Sequence, residues 1–427
     1  MCSGLRPCAH TPRPPLLRHP GRLPVYESRF MTQKFYEMTP AQRRESLIHQ
    51  GVDAHTLTAM AEPESPSLPT LDVMSENVVG AWQAPLGILT RCLVNRRVHR
   101  VAMSTEEPSV VAAANRAARL FDDAGGVVVR IDEPVTCAQI MVAVHTDAVG
   151  EFLRQIETRR DQWIALANAC DPALVRAGGG AFDFDVTTRT EEHDETLVVA
   201  RLFVHTKDAM GANAVNTMAE KILHTWTERC ALSIDGFDPG MAILTNDGAG
   251  RLVTAEIVLP PGTLRRFVAV EPDVFVRKMA RASRFAECDP QRAVTHNKGI
   301  MNGIIAAAIP LGQDTRAIEA AAYHYACRDG HHAPLAVWAK DPSSGGLRGR
   351  LCMPLCVGFI GAFRASRAVE AAFRFDGIDD YPTLCALLAA TGLAQNFGAL
   401  WALVTSGIQE GHMKLHRRKC GEADPLN

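Results

Sequence analysis

No stretch of this 427-residue chain reaches the roughly 20 consecutive apolar residues that cross a bilayer. The longest candidate, Met353 to Phe363, is about half that length, so a soluble, cytoplasmic protein with no membrane partner is expected. Neither sign of charge dominates. The net charge of −2 removes the electrostatic footprint of a nucleic-acid binder. The 12 cysteines are scattered; Cys352 and Cys356 lie close, but no second pair follows at zinc-finger spacing. Reduced thiols and no metal site are therefore expected, and His331-His332, just after Cys327, reads as loop. No Gly-x-Gly-x-x-Gly follows a strand, which excludes an ordinary Rossmann fingerprint. No repeat of solenoid length is present either. What is present is an ordinary globular balance, 47% hydrophobic and 22% charged, long enough for two or three domains.

Residues 1–27 stand apart. They carry Arg6, Arg13, Arg18, Arg22 and several prolines, and no acid before Glu27. This composition builds no core, and it reads as a disordered extension or an early start codon, since prolines spoil a transit-peptide helix. Thr39-Pro40 predicts a helix start, with helix to Met60, then a loop at Pro63, Pro66 and Pro69. Glu76 to Thr90 reads as loop or short helix. Leu93 to Met103 reads as strand, turn and strand around Asn95-Arg96-Arg97, and alanine-rich Ser109 to Phe121 as a helix ended by Gly125-Gly126. From Ile131 to Asn246, strand-like stretches (Gln139–Val144, Phe182–Thr188, Thr196–Val204) alternate with helical ones (Ala148–Asn168, Ala212–Ala231). That order suggests a small, ferredoxin-like α+β layer. Helix-rich sequence returns afterwards, including Asp314–Cys327 and Tyr381–Thr391.

Four segments carry chemistry. Glu106-Glu107-Pro108-Ser109 places two acids before a proline suited to helix position N1, either as plain dipole partners or with Glu107 holding a proton in a site. His296-Asn297-Lys298-Gly299 can seat a lysine beside an electrophile, where its ammonium stabilises an oxyanion. Asp314, opening the next helix, either tunes that lysine or simply caps the helix. Asp208-Ala209-Met210-Gly211-Ala212-Asn213 lets backbone N–H groups approach a phosphate, with Asn213, Asn216 and Thr217 on one helical face. The bland alternative there is tight packing through alanines. Gly411-His412-Met413-Lys414 carries either a plain surface histidine or a single acid/base histidine.

In this order and spacing, from about Ser28 to His416, these segments resemble the class II, bacterial-type hydroxymethylglutaryl-CoA (HMG-CoA) reductases. Glu76-Asn77-Val78-Val79-Gly80, Pro85-Leu86, Gly178-Gly179-Gly180 and Gly392-Leu393-Ala394-Gln395-Asn396 fit as well. The resemblance implies an α+β fold: a large helix-rich domain (28–132 and 246–408) interrupted by a small ferredoxin-like dinucleotide-binding domain (133–245). It implies a homodimer or larger homo-oligomer with interfacial active sites. It also implies interconversion of HMG-CoA with mevalonate and CoA by two hydride transfers. Glu107 matches the proton donor to the hemithioacetal or aldehyde oxygen, and Lys298 the oxyanion stabiliser. Asp314 matches the aspartate linking the two, and His412 the acid for the departing thiolate. Ser109, Arg292, Asn302 and Gln395 match substrate-binding positions; Asp208, Met210, Gly211, Asn213 and Asn216 match the dinucleotide site. Asp171 stands where an acid favours NAD over NADP, by accepting the ribose hydroxyl and repelling a 2′-phosphate.

Four features depart from the pattern, one of them Asn95-Arg96-Arg97 in place of an Asn-Gly turn. The C-terminal flap (409–427) that should carry His412 over the site is expected to be mostly missing. Gly361-Ala362-Phe363-Arg364 stands in for a Gly-Gly-Ala-Thr-Lys type segment, and Gln313 for an asparagine. The alternative is therefore a non-catalytic or truncated relative that binds CoA or dinucleotide. The presence of all four catalytic side chains favours the enzyme.

Overall fold

The computed structural model describes residues 34–61, 72, 75–190, 194–230, 233–361, 364, 366–405 and 407. Residues 1–27, the loop prolines 63, 66 and 69, and the 409–427 segment with His412 lie outside the described residues. Helix α1 (Pro40–His49) begins as expected, with a capping box: Thr39 Oγ1 accepts from Gln42 N–H, and the Gln42 side chain accepts from Thr39 N–H. The single helix expected to Met60 is instead two. Gly51, at φ +87°, follows α1, and α2 spans Ala54–Ala61.

Residues 78–85 are irregular, and the chain then enters strand β1 (Leu86–Val94), where loop or short helix was expected to Thr90. Strand β2 (Arg97–Ser104) returns antiparallel. Asn95 and Arg96 make the two-residue turn with φ of +47° and +68°, the hairpin geometry that usually selects Asn-Gly. The Asn95 side chain holds it in place, accepting from Val129 N–H and donating to Val129 O. Helix α3 (Val110–Asp123) and strand β3 (Val128–Ile131) follow.

The small domain reads β4 (Val135–His145), α4 (Val149–Glu157), α5 (Arg160–Cys170), α6 (Pro172–Arg176), β5 (Gly180–Thr190), β6 (Glu195–His205), α7 (Ala212–Cys230) and β7 (Asp238–Leu244). Its sheet runs β5-β6-β4-β7, antiparallel throughout, the ferredoxin-like order. The helix expected over Ala148–Asn168 breaks at Thr158-Arg159. Period-two burial explains how the layer closes. Thr196, Val198, Ala200, Leu202 and Val204 of β6 all turn inward onto a core containing Phe152, Trp163 and Trp226.

The large domain continues through β8 (Leu252–Leu259), α8 (Pro261–Phe267), α9 (Pro272–Cys288), α10 (Pro290–Ala308), α11 (Thr315–Ala326), β9 (Ala336–Lys340), β10 (Leu347–Pro354), α12 (Arg367–Asp376) and α13 (Tyr381–Val404). Its sheet order is β3-β8-β10-β9. The helix expected over Tyr381–Thr391 runs on to Val404 as α13. At 24 residues it is long and apolar enough to cross a membrane by length and composition, yet 78% of its most apolar stretch is buried in the protein. It is the central core helix, packed on α10 and α3 around Phe121, Phe397 and Trp401.

Asp376, at the end of α12, is 1% exposed. Its Oδ1 accepts from Ala102 N–H, while Oδ2 has no partner. Burial pushes its carboxyl pKa well above the ordinary value. In the unfolded chain this group ionises near pH 4; in the folded chain it keeps its proton to higher pH. Between those two points the folded chain binds more protons, so stability falls as pH rises. Asp376→Asn is expected to remove that slope. The Tm gap over the parent should widen, by on the order of a few °C, from pH 4 toward pH 8. A pH-independent gap in thermal melts would refute it.

Candidate active site

The segment 105–109 joins β2 to α3 and carries Glu107 on a short turn. Glu107 N–H donates to Thr105 Oγ1 at 3.1 Å. Pro108 was expected at the first helical position; the helix instead starts at Val110, with Ser109 at its N-cap. Ser109 has φ +79°, a conformation that costs a non-glycine residue about 1–3 kcal/mol. It gives the helix no side-chain cap, and its buried Oγ has no protein partner. A strained residue with an unsatisfied hydroxyl beside Glu107 points to a site rather than to packing.

Helix α10 supplies the opposite wall. His296 and Asn297 are buried and bolt the helix to the chain leading into β9. His296 Nε2 donates to Ala336 O at 3.0 Å, and burial, with Arg292 adding to it, lowers its pKa to about 4. It is a neutral structural imidazole. Asn297 accepts from Leu335 N–H and donates to Ala333 O. With those two residues turned inward, Lys298 emerges on the outer face. Its Nζ lies 2.9 Å from Glu107 Oε2, and Asn302, one turn on, donates to Glu107 Oε1 at 3.3 Å. Three expected residues thus meet around one carboxylate.

The other expected residues are placed less uniformly. Arg292 lies on the same helix, half-buried, and burial lowers its guanidinium pKa. Gln395 is 5% exposed, with its Oε1 buried and unpartnered. Asp314 departs from expectation. It is the N-cap of α11; its Oδ1 accepts from Arg316 and Ala317 N–H and lies 3.1 Å from the Arg316 guanidinium. Among the described residues no hydrogen bond joins it to Lys298 or Glu107. The plainer expectation, a helix-capping charge, is what this chain forms by itself, because the free N–H groups of the first turn take the carboxylate. Nor is Lys298 enclosed: its side chain is 57% exposed and that of Glu107 35%.

The loop between β6 and α7 carries Asp208, Met210 and Gly211. Gly211 has φ +89°, and a Cβ there would overlap the Thr206 side chain, so only glycine fits. Asn213, in the first turn of α7, is exposed beside N–H groups that have no intrahelical acceptor. Asn216 was expected to face a dinucleotide, but its Oδ1 accepts from Leu244 N–H and ties α7 to β7. Asp208 is likewise engaged: its Oδ1 accepts from Tyr381 N–H, and its carbonyl from Phe359 and Ile360 N–H. A cavity of about 220 Å³ adjoins this loop, lined by Thr136, Met210, Ala212, Asp247 and Arg251 among others. Asp171 caps α6, accepting from Leu174 N–H at 2.9 Å. Lys207, at φ +53°, brings its Cε to 3.8 Å from where a Cβ on Gly178 would stand.

Sequence reasoning missed the buried Arg251 behind this loop, and named the buried Gln313 only as a stand-in for asparagine. An arginine opening an alternating strand reads as a solvated end, and no local signal marks it otherwise.

These features have counterparts among known proteins. Residues 40–417 match the family model for hydroxymethylglutaryl-coenzyme A reductase. The chain is 39% identical over 389 residues to a 3-hydroxy-3-methylglutaryl-coenzyme A reductase of Archaeoglobus fulgidus, covering 90% of this chain and 85% of that one. It is 31% identical over 353 residues to a probable reductase of Borreliella burgdorferi, covering 81% and 77%. Among solved structures, the class II reductase of Streptococcus pneumoniae bound to NADPH in open conformations superposes with a TM-score of 0.79 at 34% identity. That match covers 87% of this chain and 99% of the other.

Proposed function

Because the chain belongs to the hydroxymethylglutaryl-coenzyme A reductase family, an oxidoreductase family acting between HMG-CoA and mevalonate, we propose that it performs this conversion with NAD(H), in two hydride transfers. The observation that carries the reading is the meeting of Lys298, Glu107 and Asn302, brought from two distant segments to one carboxylate. A bound nicotinamide dinucleotide would supply the hydride. The protein's part is electrostatic and acid–base. As the thioester carbonyl is reduced, charge builds on oxygen; the Lys298 ammonium stabilises it there more than in the ground state. Glu107 delivers a proton to that oxygen, and Asn302 and Lys298 orient its carboxyl group. His412 would protonate the departing CoA thiolate, which otherwise attacks the aldehyde in reverse. Arg292 offers a planar fork to the terminal carboxylate of the substrate, with Ser109 and Gln395 supplying further hydrogen bonds. Asp314 joins the proton network only if it exchanges its helix N–H partners for Lys298.

The residues left around Gly211 suit a dinucleotide: a glycine cradle with no room for a Cβ, free helix N–H groups, and the exposed Asn213. Asp171 supports NAD. Lys207, a cation against Gly178, supports the second reading, NADP, as does the NADPH held by the Streptococcus pneumoniae enzyme. The test follows reduced-cofactor absorbance with mevalonate, CoA and either NAD or NADP. NAD is expected to be favoured by at least about tenfold, and Asp171→Ala to narrow the ratio. Unchanged discrimination in that variant would remove Asp171 from the account, and no turnover with either cofactor would remove the enzyme.

A homodimer with interfacial sites, in the cytoplasm, belongs to the same proposal. Lys298 and Glu107 are too open in one chain to exclude water, and the segment near Val79 and Trp82 presents apolar side chains 97% and 96% exposed.

A further inference from the structure

Arg251 is 2% exposed, among the largest fully buried side chains, and its hydrogen bonds go to hydroxyl and carbonyl oxygens rather than to a carboxylate. Nη2 donates to Met210 O at 2.7 Å and Ala209 O at 3.0 Å, and also to Thr206 Oγ1. Nε and Nη2 donate to Thr136 Oγ1 on β4. Nη1 reaches the other way, to Val357 O at 3.0 Å. Burying a guanidinium is costly unless its donors are met, and here each nitrogen meets an acceptor.

The neighbouring residue, Gly358, is gripped from the far side. Gln313 Nε2 donates to Gly358 O at 3.0 Å, and Gln313 Oε1 accepts from Gly358 N–H at 2.9 Å. A Cβ on Gly358 would stand 2.5 Å from Met210 N, so the strap lies directly against the loop. Gln313 is anchored in turn to the helix bearing Lys298: its N–H donates to Ala308 O, the last residue of α10. One buried polar path therefore runs from α10 through Gln313, the Val357-Gly358 strap and Arg251 to the loop 206–210.

We propose that Arg251 and Gln313 are positioning residues that register the dinucleotide loop against the thioester site, clamping Val357-Gly358 from opposite sides so that hydride donor and acceptor meet at a set distance. This rests on the cofactor assignment above. The chemistry asks for such a device, since donor and acceptor are held by different domains, and a misplacement of about 1 Å can cost on the order of 100-fold in rate. Side-chain hydrogen bonds to backbone carbonyls suit the task, because they fix distance and direction on the main chain itself.

The test compares Arg251→Met, Gln313→Met and the pair in the full-length protein. Hydrogen exchange without cofactor is measured first. Gln313→Met is expected to speed exchange at 206–211, and Arg251→Met at 312–314, each across the strap. In turnover, each single variant is expected to lower kcat about 10- to 100-fold, raise the primary isotope effect with deuterated cofactor, and change the HMG-CoA KM less than about twofold. The double variant should lose less than the product of the two, because one clamp is already open. Exchange confined to the mutated segment, or a lower Tm with kcat per folded molecule and isotope effect unchanged, overturns the proposal. Should Arg251→Met not fold, Thr206→Val removes one bond of the same hub and is read in the same way. If the parent protein itself binds and turns over neither cofactor, the cofactor assignment fails, while the exchange measurement still decides the clamp.

Discussion

Replacing Lys298 with methionine is expected to lower kcat about 100- to 1,000-fold while leaving Tm nearly unchanged. Both halves follow from placement. The side chain is 57% exposed, and its partner Glu107 is 35% exposed, so removing the ammonium leaves a carboxylate that water can solvate. Exposed pairs of this kind contribute about 0–1 kcal/mol to stability. In the proposed reaction the same cation would face an oxygen that gains charge only as hydride arrives. Loss of one such stabiliser typically costs about 100- to 1,000-fold in rate. Methionine keeps the apolar stem and removes only the charge. Steady-state rates with HMG-CoA, together with a thermal melt, check the result. Turnover within about threefold of the parent would remove Lys298 from its assigned role.

Trp82→Glu is expected to split the proposed homodimer and to take most of the activity with it. An indole 96% exposed in a single chain has no intramolecular packing to lose, so the monomer should melt as before. At the centre of an interface, a tryptophan typically accounts for about 2 kcal/mol or more, roughly 30-fold in association, and a buried glutamate adds a desolvation cost. Sedimentation should shift from about twice the 46.4 kDa chain mass to the chain mass itself. Activity per chain should fall more than about tenfold at dilute enzyme and recover in part as concentration rises. A variant that stays dimeric would place the subunit contact elsewhere. A monomer with full activity would remove the interfacial site.

Much of the site could be read from sequence because its chemistry sits in short segments with local rules. Thr39-Pro40 opens a helix since a hydroxyl cap and a preset φ suit the first turn. Alternation along Thr196–Val204 predicts a half-buried strand because side chains change face at every residue. Asp314 shows where such reading stops. A carboxylate at a helix start suits a cap and a catalytic network equally, and only packing decides which donors reach it. In this chain Arg316 and Ala317 do. Asn216 was read correctly as helical and polar, yet its oxygen belongs to the Leu244 backbone.

The sequence by itself carried the resemblance to the family in short ordered motifs, suggested a ferredoxin-like layer from its succession of strands and helices, and named Glu107 and Lys298 as candidates. The tertiary structure alone decided that this pair meets, 191 residues apart in the chain, at 2.9 Å. It also decided that Arg251 is a buried hub, that α13 is core, and that Trp82 lies bare. Local pattern specifies which face of an element is apolar; which groups converge across distant elements depends on how those faces pack, and that information is carried by no single segment.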